Sequence, residues 1–200
     1  MPRAKQRTPE LRDRVLQVAV AMLAEQGVAG FTTRRVASGA DTSIPAVYEL
    51  FGDKAGLVRE VFFEGFRLLR ARFDQLVDSD DPREDLLQVL DTFRRFVHGH
   101  PVLAEVMFSR PFADFDPGPD ELAAGSVRQV VVARVERAVD AGVLAGDATD
   151  IAHVLVALVQ GLAAQDTAGW LGTSKASIDR RWTLALTATL AGLAPPTPDR

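Results

Sequence analysis

The 200-residue sequence predicts an all-α protein. Apolar residues recur at three- and four-residue steps through almost the whole chain, the period of a helix with one buried face. No stretch alternates convincingly with period two, as a half-buried strand would. Capping residues, Gly and Pro fall where the periodic runs begin and end. No unit of roughly 20–50 residues repeats, which argues against a solenoid.

The elements follow in order. Thr8-Pro9 offers an N-cap and a proline at the first helical position, opening a helix expected to stop at Gly27. Its stripe is Leu11, Val15, Val18 and Met22. Thr32 or Thr33 can cap a short second helix through about Gly39. Ser43 caps a third, with Pro45 in its first turn and Phe51-Gly52 at its end. Asp53 caps a long fourth, whose stripe runs Leu57, Val61, Phe62, Phe66, Leu69, Phe73 and Leu76. The cluster from Asp78 to Pro82 breaks it with turn chemistry, and Asp78, Asp80, Asp81, Glu84 and Asp85 read as a solvated turn and helix start. A fifth helix carries Leu86, Leu90, Phe93 and Val97 and ends at Gly99; His100-Pro101 restarts a short sixth to about Phe108. Residues 111–119 are the least regular segment. Glu121 to Ala141 form a seventh helix stopped by Gly142. Asp147 or Thr149 starts an eighth to about Leu171, and Ser174 a ninth to Gly192, before a proline-rich tail.

Composition narrows the function. Apolar types make up 47% and charged types 25%, which is globular rather than disordered. Without cysteine there is no disulfide, thiolate metal site, iron–sulfur cluster or cysteine nucleophile. His98, His100 and His153 lack the carboxylates or thiols that would complete a metal site, so neither metal nor cofactor is expected. No nucleophile, glycine-rich phosphate loop or metal motif accompanies the acids, so no enzyme is expected. The net charge of −4 hides an asymmetry: nine basic residues against seven acids up to Glu60 leave −6 on the remainder. A cationic leading end on an acidic body suits contact with a polyanion. Val15 to Ala24 superficially resembles a secretory signal, but Glu10, Asp13, Gln17 and the helical spacing speak against one. His153, Gln160 and Gly161 interrupt the longest apolar stretch, so no membrane span is expected and a cytoplasmic address fits.

The second and third helices, joined by Gly39-Ala40-Asp41-Thr42, have helix-turn-helix dimensions. Ala37, Gly39 and Ala40 are small enough for close crossing, and Val15, Ala19 and Phe31 can brace the pair against Val36 and Val47. Such a unit presents short side chains and an open helix N-terminus to a major groove. Thr42, Ser43, Ile44, Pro45 and Ala46 are all short or compact, and Tyr48 lies one turn on. Thr33, Arg34 and Arg35 start the preceding helix, where free N–H groups and the positive dipole end favour a phosphate. Ordinary capping with solvated arginines is the plainer reading of the same three residues. Lys54 is either a phosphate contact or a surface lysine.

The stretch from Arg14 through Phe51 resembles the DNA-binding segment of the TetR family of transcriptional regulators. The features in register are Gly27, Phe31-Thr32-Thr33, Val36-Ala37, Ala40, Ser43, Val47-Tyr48, Phe51, Lys54 and Leu57. Further on, HPVLAEVMF and a late Gly-Leu are more loosely similar to one C-terminal subclass. The chain departs from the family pattern at Asp41-Thr42, where Gly-Val is common, and at Ile44, where Lys or Arg is frequent. Glu49 also sets an acid beside the recognition surface.

The resemblance implies a ligand-responsive regulator, a repressor that a small, largely apolar molecule releases from operator DNA. It gives Tyr48 the role of donating its hydroxyl to a phosphate. It implies a DNA-binding domain over 1–54 with a basic arm at 1–8, a ligand-binding and dimerisation domain over 55–194, and a flexible tail over 195–200. It also turns a phenylalanine-rich region, otherwise read as plain core, into a candidate effector pocket of Phe66, Phe93, Phe96, Met107, Phe108 and Phe112, with Gln165 and His98 for orientation. The eighth helix is apolar on nearly all sides, so either it is the centre of a single subunit's core or one face needs cover from outside the subunit. A homodimer would bury it through Leu155, Leu158, Gly161 and Leu162 with Trp182, Leu186 and Leu190 of the ninth. The alternatives are a helical-bundle enzyme or carrier for an apolar small molecule, and an interaction module that has lost operator binding.

Overall fold

Side-chain caps fix several of the helix starts. In the computed structural model, which describes residues 8–108 and 121–196 (the backbone alone at 28, 29 and 121–126), all regular structure among the described residues is helical. The order is α1 (Pro9–Gly30), α2 (Thr33–Gly39), α3 (Ile44–Phe51), α4 (Lys54–Phe73), α5 (Pro82–Gly99), α6 (Pro101–Phe108), α7 (Glu121–Asp140), α8 (Ala148–Thr167) and α9 (Lys175–Gly192). Thr32, Ser43, Asp147 and Ser174 each accept a backbone N–H three residues on, and Ser174 and Ser177 form a reciprocal capping box.

Three ends differ from the spacing's prediction. Gly27 does break α1, at φ 65° and ψ −176°, but helix resumes for the last residues to Gly30. α4 stops at Phe73, so Leu76 lies beyond the helix that its register suggested. α8 stops at Thr167 rather than Leu171, because Gly169 turns the chain with φ 75°.

Two compact units emerge. The first joins residues up to Arg67 with α6, which packs along α1; the second joins Leu68–Gly99 with the chain from Leu122 onward. The boundary falls inside α4. In the first unit Val15, Ala19 and Leu23 of α1 are buried with Phe31, Val36, Val47, Leu57 and Val61. In the second, Leu86, Leu90 and Phe93 of α5, Val131 and Val135 of α7, and Leu155 and Val159 of α8 are buried.

Asp85 corrects the reading of its neighbourhood as a solvated turn. It is 1% exposed and accepts hydrogen bonds from Ser79 N–H (2.9 Å), Ser79 Oγ (2.8 Å) and Arg137 Nη1 (2.7 Å). Arg137 also donates to the Ser79 carbonyl and pairs with Asp78, clamping the loop after α4 and the start of α5 to α7. Burial pushes the Asp85 carboxyl up, but the bonds from Ser79 and then Arg137 outweigh it and hold the group below the usual aspartate value.

A second polar cluster ties α5, α8 and α9. Asp166 accepts from Trp182 Nε1 (3.1 Å) and lies 2.9 Å from His98 Nε2. The Arg94 guanidinium stacks 4.7 Å from the Trp182 ring centroid and pairs with Asp179 at 2.7 Å.

Both α8 and α9 keep apolar residues uncovered. Val154 of α8 is 51% exposed and Leu184 of α9 69%, and Ala157, Gly161 and Ala164 of α8 are exposed as well. α8 is apolar and long enough to cross a membrane by composition, with mean hydropathy 1.3, yet only 28% of that window is buried. In the loop that follows, Trp170 stands 78% exposed.

Candidate nucleic-acid interface

The turn between α2 and α3 closes through its own backbone. Ala40 N–H donates to the Val36 carbonyl and Thr42 N–H to the Ala37 carbonyl, both at 2.9 Å. Asp41 sits between them with φ 49°, the left-handed conformation that glycine takes most freely. Aspartate is among the few other side chains that tolerate it, which accounts for Asp41 where glycine is common. Arg14 of α1 donates to the Ala40 carbonyl at 3.1 Å and so pins the turn to the bracing helix. Gly39 lets α2 lie against Val18, since a Cβ there would come within 2.8 Å of Val18 Cγ1.

α3 buries Val47 and Phe51 and turns Pro45, Tyr48 and Glu49 outward. Tyr48 is 42% exposed on that outward face. Ile44 and Ala46 are half-buried at its edges. Ser43 is exposed, and its Oγ caps α3 by accepting from Ala46 N–H at 3.3 Å. Arg34 projects into solvent from the first turn of α2 and pairs with no acid among the described residues. Arg35, also exposed, reaches back to the Gly30 carbonyl at 3.2 Å. Lys54 is exposed with its ammonium 5.9 Å from the Phe31 ring centroid.

Two expected groove residues are placed otherwise. Thr33 is buried, and Thr42 Oγ1 is enclosed with no hydrogen-bond partner among the described residues. Neither hydroxyl is displayed on the outward surface.

Part of the basic leading end is internal bracing. Arg12 pairs with Glu60 of α4 at 2.6 Å, and its guanidinium lies 5.3 Å from the Phe51 ring centroid. It thereby joins α1, α3 and α4, a role that the sequence hid because Glu60 lies far along the chain. Residues 1–7, with Arg3, Lys5 and Arg7, lie outside the described residues.

Gly56 was missed as well. A Cβ there would fall on the Phe51 carbonyl oxygen, so only glycine lets α4 start this close to the end of α3. We expect Gly56→Ala to cost about 1–3 kcal/mol, because the obstacle is backbone that cannot rotate away. Urea unfolding checks this, and an unchanged midpoint would refute the close approach.

The other expected sites divide. Phe66 meets Phe108 edge to face at 5.9 Å, and Gly65 lies against Met107 and Leu103, all in the first unit. Phe93 and Phe96 are buried on α5 in the second unit. Gln165 is exposed on α8, His98 is engaged with Asp166, and Phe112 lies outside the described residues. Of the expected interface set, Leu155, Trp182 and Leu190 belong to the subunit's own core. Gly161 is open, with Leu158, Leu162 and Leu186 half-buried.

The model of the tetR family of bacterial regulatory proteins matches residues 15–61, and that of the tetracyclin repressor-like C-terminal domain matches residues 86–189. The Probable HTH-type transcriptional regulator YttP of Bacillus subtilis is 23% identical over 100 residues, 48% of each chain, so the match spans about half that relative's length. A solved structure of a protein of unknown function from Rhodococcus sp. RHA1 is 25% identical, with TM-score 0.80 over 98% of this chain and 100% of the other. The TetR family regulator PfmR of Thermus thermophilus shares the fold at 18% identity, with TM-score 0.65 over 92% and 100% of the two chains. Apo ActR of Streptomyces coelicolor does so at 18% identity, with TM-score 0.66 over 91% and 93%.

Proposed function

Because the chain belongs to the TetR family of transcriptional regulators, we propose that it is a cytoplasmic homodimeric repressor which an apolar small molecule releases from operator DNA. The observation that carries DNA binding is the outward face of α3, with Tyr48 exposed and Arg34, in the first turn of α2, exposed and close by in sequence. Arg34, Arg35 and Lys54 would hold phosphates, and Ser43 to Ala46 would meet base edges. A bundle enzyme or carrier has no need of such a face.

The uncovered apolar residues of α8 and α9 support the homodimer. Burying Val154, Gly161 and Leu184 of two copies about a two-fold axis also pairs two recognition helices, as successive half-sites require. For the effector, the Phe66, Met107 and Phe108 cluster offers aromatic and thioether surface. The effector acts by favouring one of two conformations, and α4, which contributes to both units, is the element to carry the change.

Tyr48→Phe tests the DNA contact. Losing one hydroxyl bond to a charged phosphate should weaken operator binding roughly tenfold or more, with unfolding unchanged. Equal affinity of the variant and the wild type for DNA flanking the coding sequence would remove Tyr48 from the interface. A thermal-shift panel of lipids and aromatics tests the effector, and stabilisation by highly charged compounds alone would refute an apolar one.

A further inference from the structure

Among the described residues Trp170 is the largest apolar side chain left in the open. Its loop is not slack. The N–H groups of Trp170 and Leu171 both donate to the Gln165 carbonyl, at 2.9 and 3.1 Å, and Arg181 donates to the Leu171 carbonyl. The backbone beneath the indole is thus fixed before any partner arrives, which spares ordering entropy on binding.

α8 supplies the surface that such an indole can meet. Val154, Ala157, Gly161, Ala164 and Ala168 are all exposed and follow one another at three- and four-residue steps, so they share one face. Ala168 keeps the helical register, since its N–H donates to the Ala164 carbonyl at 3.0 Å. Gly161 lies midway between Val154 and Ala168, about 10.5 Å from each at the helical rise. A two-fold axis through Gly161 and across the helix therefore sets Val154 of one copy opposite Ala168 of the other. From Ile151 to Gln165 there is no Asp, Glu, Lys or Arg, so no like charges meet. Trp170, two residues beyond Ala168, then falls beside the partner's Val154 at each end. The small residues alone bury little. A stable pair buries about 1,200–2,000 Å² in all and an aromatic residue brings roughly 150–250 Å², so two indoles supply much of what the strip lacks.

We infer that two copies cross antiparallel at Gly161 and that Trp170 of each lays one face of its indole on Val154 of the other. The second face of the ring stays in solvent. The inference rests on the homodimer reading above and adds the register of the contact and the residue that anchors it.

The chain has no cysteine, so introduced thiols report the register directly. In a Val154→Cys, Ala168→Cys variant the two thiols lie about 21 Å apart along α8, beyond disulfide reach, so a disulfide between these positions joins two copies. A mild oxidant should turn that variant into a covalent dimer on a non-reducing gel and leave each single-cysteine variant a monomer there. Trp170→Ala should raise the dissociation constant of the dimer roughly a hundredfold, read by light scattering over a dilution series, with circular dichroism unchanged. No cross-link in the paired variant, cross-linking of a single-cysteine one, or a dimer that Trp170→Ala leaves equally tight overturns this contact while the homodimer stands. A wild-type chain that stays at 21.7 kDa at micromolar concentration overturns the homodimer reading and this inference with it.

Discussion

Gly161→Asp combined with Leu184→Asp should yield a folded monomer with no tight hold on operator DNA. Both positions face outward in the single subunit, and a Cβ at Gly161 meets nothing within 4 Å. The subunit's own stability therefore has little to lose. In an isologous dimer each aspartate lies near the two-fold and meets apolar surface or its own symmetry copy, so four buried charges oppose association. A monomer holds one half-site and forfeits the effective concentration that its partner supplies, worth roughly a hundred- to ten-thousandfold in affinity. Light scattering should give 21.7 kDa for the variant and twice that for the wild type. A dimeric variant with undiminished binding would move the interface elsewhere.

Asp85→Ala should lower the thermal midpoint by roughly 10 °C, the scale expected when one partner of a buried, hydrogen-bonded ion pair is removed. The loss leaves the Ser79 N–H without its acceptor and frees the α4–α5 loop from α7. The pH dependence follows from the lowered carboxyl. Asp85 contributes its stabilisation in full above the unfolded value of 3.8 and loses it as the pH falls through the lower folded value. The gap between wild type and variant should therefore close in acid. A gap that persists unchanged far below pH 3.8 would assign the stability to packing rather than to the charge.

What the sequence made legible was local. Thr32 and Ser43 cap helices whose N–H groups lie three residues away, so α2, the turn and α3 could be drawn from spacing and residue type. Arg14 reaching the Ala40 carbonyl, Arg12 pairing with Glu60 and Arg137 pairing with Asp85 join residues 26, 48 and 52 positions apart, and no pattern within one helix reports them. Charge misled twice for that reason. Arg12 counted toward the cationic leading end and Asp85 toward the solvated turn and helix start, whereas each is a clamp. α8 posed a different difficulty. Ile151, Leu155 and Val159 lie inside while Val154, Leu158 and Gly161 lie toward the open side, and both strips are apolar. Periodicity marks the two faces; only the packing of α5 and α9 chooses between them.

The α8–α9 hairpin also carries the whole chain's indole, in two opposite settings. Trp182 is enclosed beneath Arg94 with its N–H bound to Asp166, and Trp170 projects into solvent from the connecting loop. Intrinsic fluorescence of the unlabelled protein is therefore the sum of a short-wavelength emitter shielded from quenchers and a long-wavelength emitter open to them. Iodide should silence the second and spare the first, so one cuvette separates loosening of the hairpin, which exposes Trp182, from anything that covers Trp170. Single-tryptophan versions, Trp170→Phe and Trp182→Phe, would give each setting its own spectrum.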